Sequence, residues 1–559
     1  MTSSEQHQRS PNLRRLYHIC LGVTILSLII LQLKGTVRFT DDFSLINTDT
    51  ITSTLIAPDD VITARNEVAS TNERMQKEDA IEARIEEARI NERMKEEDAM
   101  KARMEEEDVV NARNGEAADN ERMNILLLYA DDWRHDTIGV AGDKVVHTPV
   151  IDKLSSEGIR FTHNCVTTSI CWISRATLTT GQYLSRHKQV MLKEPLLYYE
   201  NYWNETYPGL LRDRGYHTGQ VGKWQFHKYP REEWDFSTSD EYGWHWREIA
   251  GKMIHVTQKN EYDALEFLRK RPKDKPFLLT TAFFAPHCVD GSPEQYYPQN
   301  ETKKLYNDVN ITIPLNGIDM DESWKRLPSF FTEENEARGR WHWRFDEPVK
   351  AETMMKNFYR METEVDKACG NIIEELSRQG VLNKTLIIFT TDNGNMHGEH
   401  GLAGKWFPYQ ESIRVPLVIR DPRMPSKAHG STNDDFTLNI DLASTIISAA
   451  GVEQPARMQG RDISELYLPS KKETLQSNPW RTEFLYEYPA RENPFHIPSS
   501  NAVVRKDFKY IEWPEHNVSQ LFDLINDQFE ENDLINDVKH SRRIAKMKNR
   551  LKKLAAAAL

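Results

Sequence analysis

The sequence predicts an α/β fold. A large mixed, mostly parallel sheet is flanked by helices, followed by a small C-terminal α+β subdomain and preceded by a transmembrane helix and a helical stalk. Three observations predict it. Runs such as "NILLLYA" from Asn124 and "TLIIFTT" from Thr385 are continuously apolar, the pattern of strands covered on both faces by helices. Each run ends in polar, chemistry-bearing residues, and ligands of such sheets lie outside the carboxyl ends of the strands. The first 122 residues differ in composition: one apolar run, then charged repeats.

In chain order, residues 1–15 form a cytosolic tail carrying Arg9, Arg14 and Arg15, and residues 16–33 form an 18-residue mostly apolar run. That length just spans a bilayer. The following "KGTVRF" lacks a small-residue cleavage pattern, so a retained signal anchor is expected ahead of a cleaved signal peptide. Residues 34–122 are a stem. Within it, "NERM" recurs at Asn72, Asn91 and Asn120, among good helix formers with favourable pairs Glu73–Lys77 and Glu97–Lys101. The 19-residue period is no heptad multiple, so a solvated single helix is expected ahead of a flexible linker or an oligomerising coiled coil. Residues 123–435 hold the catalytic strands, 436–540 the small subdomain, and 541–559 a basic terminal helix, read as solvated with an acidic partner as the alternative.

Composition excludes other classes. The chain has 559 residues, 39% of them hydrophobic, with 13 tryptophans, enough for a real core. Of the net charge of −13, residues 64–122 supply −7 through 18 acidic and 11 basic residues. No basic stripe of the kind that marks a nucleic-acid partner is expected. With Cys20 in the apolar run and Cys171 set apart, Cys165, Cys288 and Cys369 allow at most one disulfide. The sequons at Asn204, Asn300, Asn310, Asn383 and Asn517 point to N-glycosylation in the secretory lumen or outside the cell.

Two strand ends carry hard oxygen ligands: Asp131 and Asp132 after the first, Asp392 and Asn393 after "TLIIFTT". Clustered carboxylates are costly without a cation, and this donor set suits Ca²⁺ or Mg²⁺. Gly222 and Lys223 end "HTGQVGK", and His287 ends "PFLLTTAFFAPH". The stretch "CWISRATLTTG" reads as a helix that starts at Cys171 and stops at Gly181, with Arg175 one turn on.

That stretch resembles the sulfatase signature, Cys (or Ser)-x-Pro-Ser-Arg followed by a short helix ending Leu-x-Thr-Gly. "ADDW", "HTPVIDKLSSEGIRFT", "GYHTGQVGKW", "APH", "TDNGNMHGEHGLAGKW" and "ESIRVPLVIR" follow the same family in the same order. The resemblance implies the alkaline-phosphatase-like fold and hydrolysis of a sulfate ester. It implies that Cys171 is oxidised to formylglycine by the formylglycine-generating enzyme. Asp131, Asp132, Asp392, Asn393 and residue 171 would hold the metal. Arg175 would stabilise the hydrated aldehyde, Lys223 and Lys405 would clamp sulfate oxygens, and His287 would donate a proton to the leaving alcohol. Two positions depart from the family: Ile173 stands where it has proline, and Gln225 where it often has a proton-accepting histidine. His227 is a candidate stand-in.

Aromatic-rich segments 229–247 and 320–347 suggest a sugar-stacking rim, with His187, Gln225, His227, Trp244, His245, Trp343 and His397 as candidate substrate contacts. A sulfated carbohydrate is the expected substrate. The alternatives are a phosphodiesterase or phosphonate hydrolase of the same fold, and a catalytically impaired pseudo-sulfatase that binds sulfated glycans.

Overall fold

Strand β1 (Asn124–Ala130) is buried at every residue and forms the middle of an eight-stranded sheet. The structure is a computed structural model describing residues 122–559 apart from 191–201, 227–228, 240–242, 312–319, 491–492 and 494. The apolar run 16–33, the stem repeats, Cys20 and His227 lie outside the described residues. Among the described residues no helix is long and apolar enough to cross a membrane.

The remaining strands of the large sheet are β2 (Ile159–Cys165), β3 (His217–Gly222), β4 (Phe236–Ser239), β5 (Phe277–Ala282), β6 (Thr385–Thr391), β7 (Leu417–Arg420) and β8 (Ser431–Leu438). Their order is β8-β2-β7-β6-β1-β5-β3-β4. Only β7 runs antiparallel to its neighbours, so the sheet is mixed and mostly parallel, as predicted. Helices cover both faces. Those that matter here are α1 (Pro149–Ser156), α2 (Cys171–Thr180), α3 (Val256–Lys270), α4 (Glu336–Arg344), α5 (Pro348–Arg378) and α6 (Asn439–Ala449). Alternate residues of β1 serve the two cores: Leu126 and Leu128 meet α3 and α5 through Phe267, Leu268, Phe358 and Val365. Ile125 and Leu127 join Leu178 of α2 and Leu442 and Ile446 of α6.

A second sheet follows, β9 (Glu483–Tyr488), β10 (Ser500–Arg505), β11 (Phe508–Trp513) and β12 (Val518–Asp523), antiparallel throughout. Its side chains alternate with the period of two that a pleated strand imposes. Phe484, Tyr486, Val504, Ile511 and Phe522 face the catalytic part. Leu485, Val503, Tyr510 and Leu521 face the last helix, α7 (Ser541–Ala558). Two expectations are corrected here. A boundary at 435/436 cuts through β8, which pairs with β2 in the large sheet; the small sheet begins at Glu483. The basic tail is not simply a solvated helix: Met547, Leu551 and Ala558 bury one stripe of α7 on the small sheet. Cys165, Cys171, Cys288 and Cys369 are all free thiols.

Candidate active site

Sheet register brings the site together. Ala130 pairs with Thr391, so Asp131 and Asp392 leave adjacent parallel strands at the same level. Tyr129 and Gly222 both pair with Ala282, which sets Lys223 and the loop to His287 on the same edge. Gly222 has φ 81°, and a Cβ there would lie 2.1 Å from the Ala282 carbonyl oxygen, so only glycine lets the chain turn Lys223 inward.

Helix α2 starts at Cys171 and stops at Gly181, whose φ of 63° forms the left-handed cap. Ser174 is anchored by Asn439 Nδ2 of α6 at 2.9 Å, and Ile173 is buried in the core below the site. The small subdomain braces this helix from outside. Ser169 Oγ and Tyr486 OH lie 2.6 Å apart, Tyr486 OH donates to the Trp406 carbonyl at 2.6 Å, and Trp406 N–H donates to Ser169 O at 3.1 Å. One tyrosine of β9 thus ties the loop before Cys171 to the loop carrying Lys405.

Three carboxylates and three cations meet, all buried. Cys171 Sγ lies 3.3 Å from Asp131 Oδ1, and Lys405 Nζ donates to that sulfur at 2.8 Å. Lys223 pairs with Asp131, and Lys405 with Asp132. Arg175 donates to Asp392 Oδ2 through Nε at 2.9 Å and to the Lys223 carbonyl through Nη1 at 3.0 Å, and its Nη2 lies 2.7 Å from Asp392 Oδ2 as an ion pair. Its guanidinium lies over the Tyr129 ring. His287 Nε2 sits 3.7 Å from Asp132 Oδ2 while Nδ1 lies 2.5 Å from the Cys288 carbonyl oxygen.

The field follows from burial and charge. Burial, with Asp392 beside it, pushes Asp131 up to about 7. Burial acts on Asp132 too, but Lys405 and Lys223 hold it below its ordinary value. Burial and Asp131 push the Cys171 thiol well up, so the unmodified cysteine stays protonated and is a poor nucleophile. Burial, then Lys223 and Lys405, holds His287 well down.

Ligand atoms of Asp131, Asp132, Cys171 and His287 lie within 4.8 Å of one another. Asp392 and Asn393 adjoin them: Asp392 Oδ1 accepts the Asp132 N–H at 3.2 Å, and Asn393 Nδ2 donates to Asp132. Asn393 Oδ1 is buried with no hydrogen-bond partner among the described residues, a hard donor beside three carboxylates. These residues fit a divalent ion.

The rim residues sort differently from expectation. His187 is a core residue: Nε2 lies 3.0 Å from Thr177 Oγ1 and Nδ1 accepts the Gln189 N–H. His397 is also a core residue, buried with its ring 4.4 Å from that of Phe358. His245 is buried, its Nε2 2.8 Å from the His287 backbone carbonyl oxygen. Its neighbour Trp244 is 60% exposed and Trp343 is 46% exposed, so both offer aromatic surface. Gln225, at φ 61°, leaves a buried Oε1 without a partner. Sequence reasoning missed Asp290 and Arg340, an ion pair joining the loop after His287 to α4, where Arg340 lies over the Trp406 ring beside Lys405. Fifty positions separate them, and no local pattern links two such residues.

A sulfatase family model matches residues 123–452. This chain belongs to the sulfatase family. A model described as N-sulphoglucosamine sulphohydrolase, C-terminal, matches residues 398–557 of the sulfatase. It is 24% identical to an N-acetylglucosamine-6-O-sulfatase of Bacteroides thetaiotaomicron, over 78% of this chain and 86% of the relative. It is 26% identical to an arylsulfatase of Clostridium perfringens, over 76% and 92%. A solved structure in complex with its substrate D-glucosamine-2-N,6-O-disulfate superposes with a TM-score of 0.65 at 22% identity, covering 78% of this chain and 98% of the other. A phosphonate monoester hydrolase of Agrobacterium radiobacter gives a TM-score of 0.63 at 21% identity, covering 78% and 96%. The fold is alkaline-phosphatase-like, and the protein is a sulfuric ester hydrolase.

Proposed function

We propose that this sulfatase removes sulfate from a sulfated carbohydrate, with a 6-O-sulfated glucosamine unit as the leading candidate, using residue 171 as formylglycine and a divalent ion, Ca²⁺ ahead of Mg²⁺. The observation that carries the reading is the closure of three carboxylates and three cations on the first residue of α2. The glucosamine preference rests on the substrates named for the relatives.

Asp131, Asp132, Asp392 and Asn393 Oδ1 would hold the ion, which supplies positive charge that lowers the pKa of a bound hydroxyl. As formylglycine, residue 171 supplies a hydrated aldehyde, the oxygen nucleophile toward sulfur. Lys223 and Lys405 bind the sulfate oxygens where negative charge grows in the transition state. Arg175, fixed by Asp392 and the Lys223 carbonyl, would stabilise the hydrated aldehyde at residue 171. His245 holds the His287 backbone carbonyl, while the His287 ring is oriented by the Cys288 carbonyl at Nδ1. The negative charge of a bound ester raises its proton affinity, and it passes that proton to the leaving alcohol. Gln225 has hydrogen-bonding capacity but moves no proton at neutral pH.

Mass spectrometry of the peptide containing residue 171, from protein made in a secretory host, tests the reading. The aldehyde is expected, and Cys171→Ala abolishes turnover while costing about 1–2 kcal/mol of stability. An unmodified thiol in active protein sinks it. The phosphonate-hydrolase structures motivate the second reading. Turnover of an aryl phosphonate faster than of the matching aryl sulfate would favour it.

The same proposal places the catalytic part in the secretory lumen or outside the cell, behind a type II anchor at 16–33. In its support, Asn204, Asn300, Asn310, Asn383 and Asn517 are all exposed and open to glycan transfer.

A further inference from the structure

The last helix presents a groove that sulfate hydrolysis does not use. Between α7 and the turn joining β10 to β11 lies a cleft of about 700 Å³. Its charged lining is Arg505, Lys539, Arg542, Arg543, Lys546 and Arg550 against only Glu483 and Asp507, a surplus of four positive charges besides His540. The whole chain is acidic, at −13, so this concentration runs against the composition.

The two carboxylates are already engaged. Asp507 holds Arg505 at 2.8 Å and lies 3.7 Å from Arg543, whose guanidinium stacks 3.5 Å from the Phe508 ring centroid. Glu483 pairs with Arg550 and Arg505. Three arginines are thereby fixed as walls. Lys539, Arg542 and Lys546 remain exposed, with no ion pair among the described residues. The first turn of α7 holds no acidic residue, and Arg542 and Arg543 sit at the helix's positive end, where cations are disfavoured. An anion in the groove reverses that.

Shape selects the anion. Arg542, Lys546 and Arg550 recur every fourth residue, so they form one row of about 12 Å along the helix. A row of cations matches a string of regularly spaced anionic groups better than a single small ion. We propose that this groove is an exosite for a sulfated polysaccharide chain, holding a stretch of polymer remote from the unit being desulfated. The choice of ligand rests on the sulfated-carbohydrate reading above, and it narrows that substrate from sulfated carbohydrates in general to a polymer.

The test is a full-length Arg542→Gln/Lys546→Gln variant, whose substitutions touch no core residue. Binding to heparin is measured in a Cys171→Ala background, so the result stands whether or not residue 171 is converted. The salt dependence of binding is expected to weaken by about 1.5 in log–log slope for the two charges removed. In the active background, KM on a sulfated polysaccharide is expected to rise about tenfold, equivalent to about 1.4 kcal/mol, with kcat/KM on a small aryl sulfate unchanged. Unchanged heparin retention overturns the proposal. So does competition by duplex DNA as effective as that by heparin, which would mark an unselective polyanion face.

Discussion

Lys405 pairs with Asp132 and donates to Cys171 Sγ, and so stands beside the residue proposed as nucleophile. Lys405→Met is expected to lower kcat by about 10²- to 10³-fold, the usual scale for one lost transition-state donor, and, because it strips the buried Asp132 of its partner, to lower Tm as well. Steady-state kinetics on an aryl sulfate check it, and a variant that changed KM alone would place Lys405 in ground-state binding. His187 is a different case. Burial holds its folded-state value down to about 3, against 6.5 for a free imidazole. A depressed histidine contributes stability that is present above about pH 6.5 and is lost as pH falls toward 3. At pH 5 the loss amounts to about 2 kcal/mol. His187→Gln keeps the hydrogen bonds and removes the titration, so its stability, from urea denaturation, is expected to fall less than wild type between pH 7.5 and pH 5.

At the scale of elements, the register of β1 against β6 and β5 makes the site, and the small sheet keeps it in place. Lys509 of β11 donates to the Pro408 carbonyl and pairs with Glu530, which in turn accepts the Gln410 N–H at 2.7 Å. Both side chains are fully buried, and they pin the turn that follows Lys405. Lys509→Met leaves Glu530 buried and uncompensated and is expected to cost about 3–5 kcal/mol at pH 7.5. Burial already raises Glu530 to about 7, so the deficit is expected to shrink at pH 5, where that carboxyl holds a proton. Adding Glu530→Leu should recover most of the stability. Denaturant midpoints of the single and double variants decide this, and an additive double variant would mean the two residues do not interact.

For the whole molecule, a divalent ion held by Asp131, Asp132, Asp392 and Asn393 would be both cofactor and clamp, since these donors come from strand ends 260 residues apart. Chelation by EDTA is expected to abolish turnover and to lower Tm by several degrees, because a ligand bound only to the folded state stabilises it by mass action. Re-added Ca²⁺ should restore both, and a Tm indifferent to EDTA would remove the ion from the folded structure. Strand identities were legible in sequence because a buried parallel strand must be apolar along its whole length, as Ile125–Tyr129 and Leu386–Phe389 are. The ends of those strands were legible because Asp131, Asp132, Asp392, Lys223 and His287 interrupt apolar runs with charge. The rim was less so. A histidine in sequence carries no sign of burial, and His187, His245 and His397 all went inward. Asp290 with Arg340, and the groove beside α7, join segments too distant for any periodicity to connect.

The sequence by itself determined the strands, the order of reactive residues along the chain and the family's chemistry, because these depend on local hydrophobicity and side-chain type. Tertiary structure alone decided which side chains share a charge, which histidines are core and where the positive groove forms. Pairing and burial are set by register between strands far apart in sequence, and no local window contains both partners.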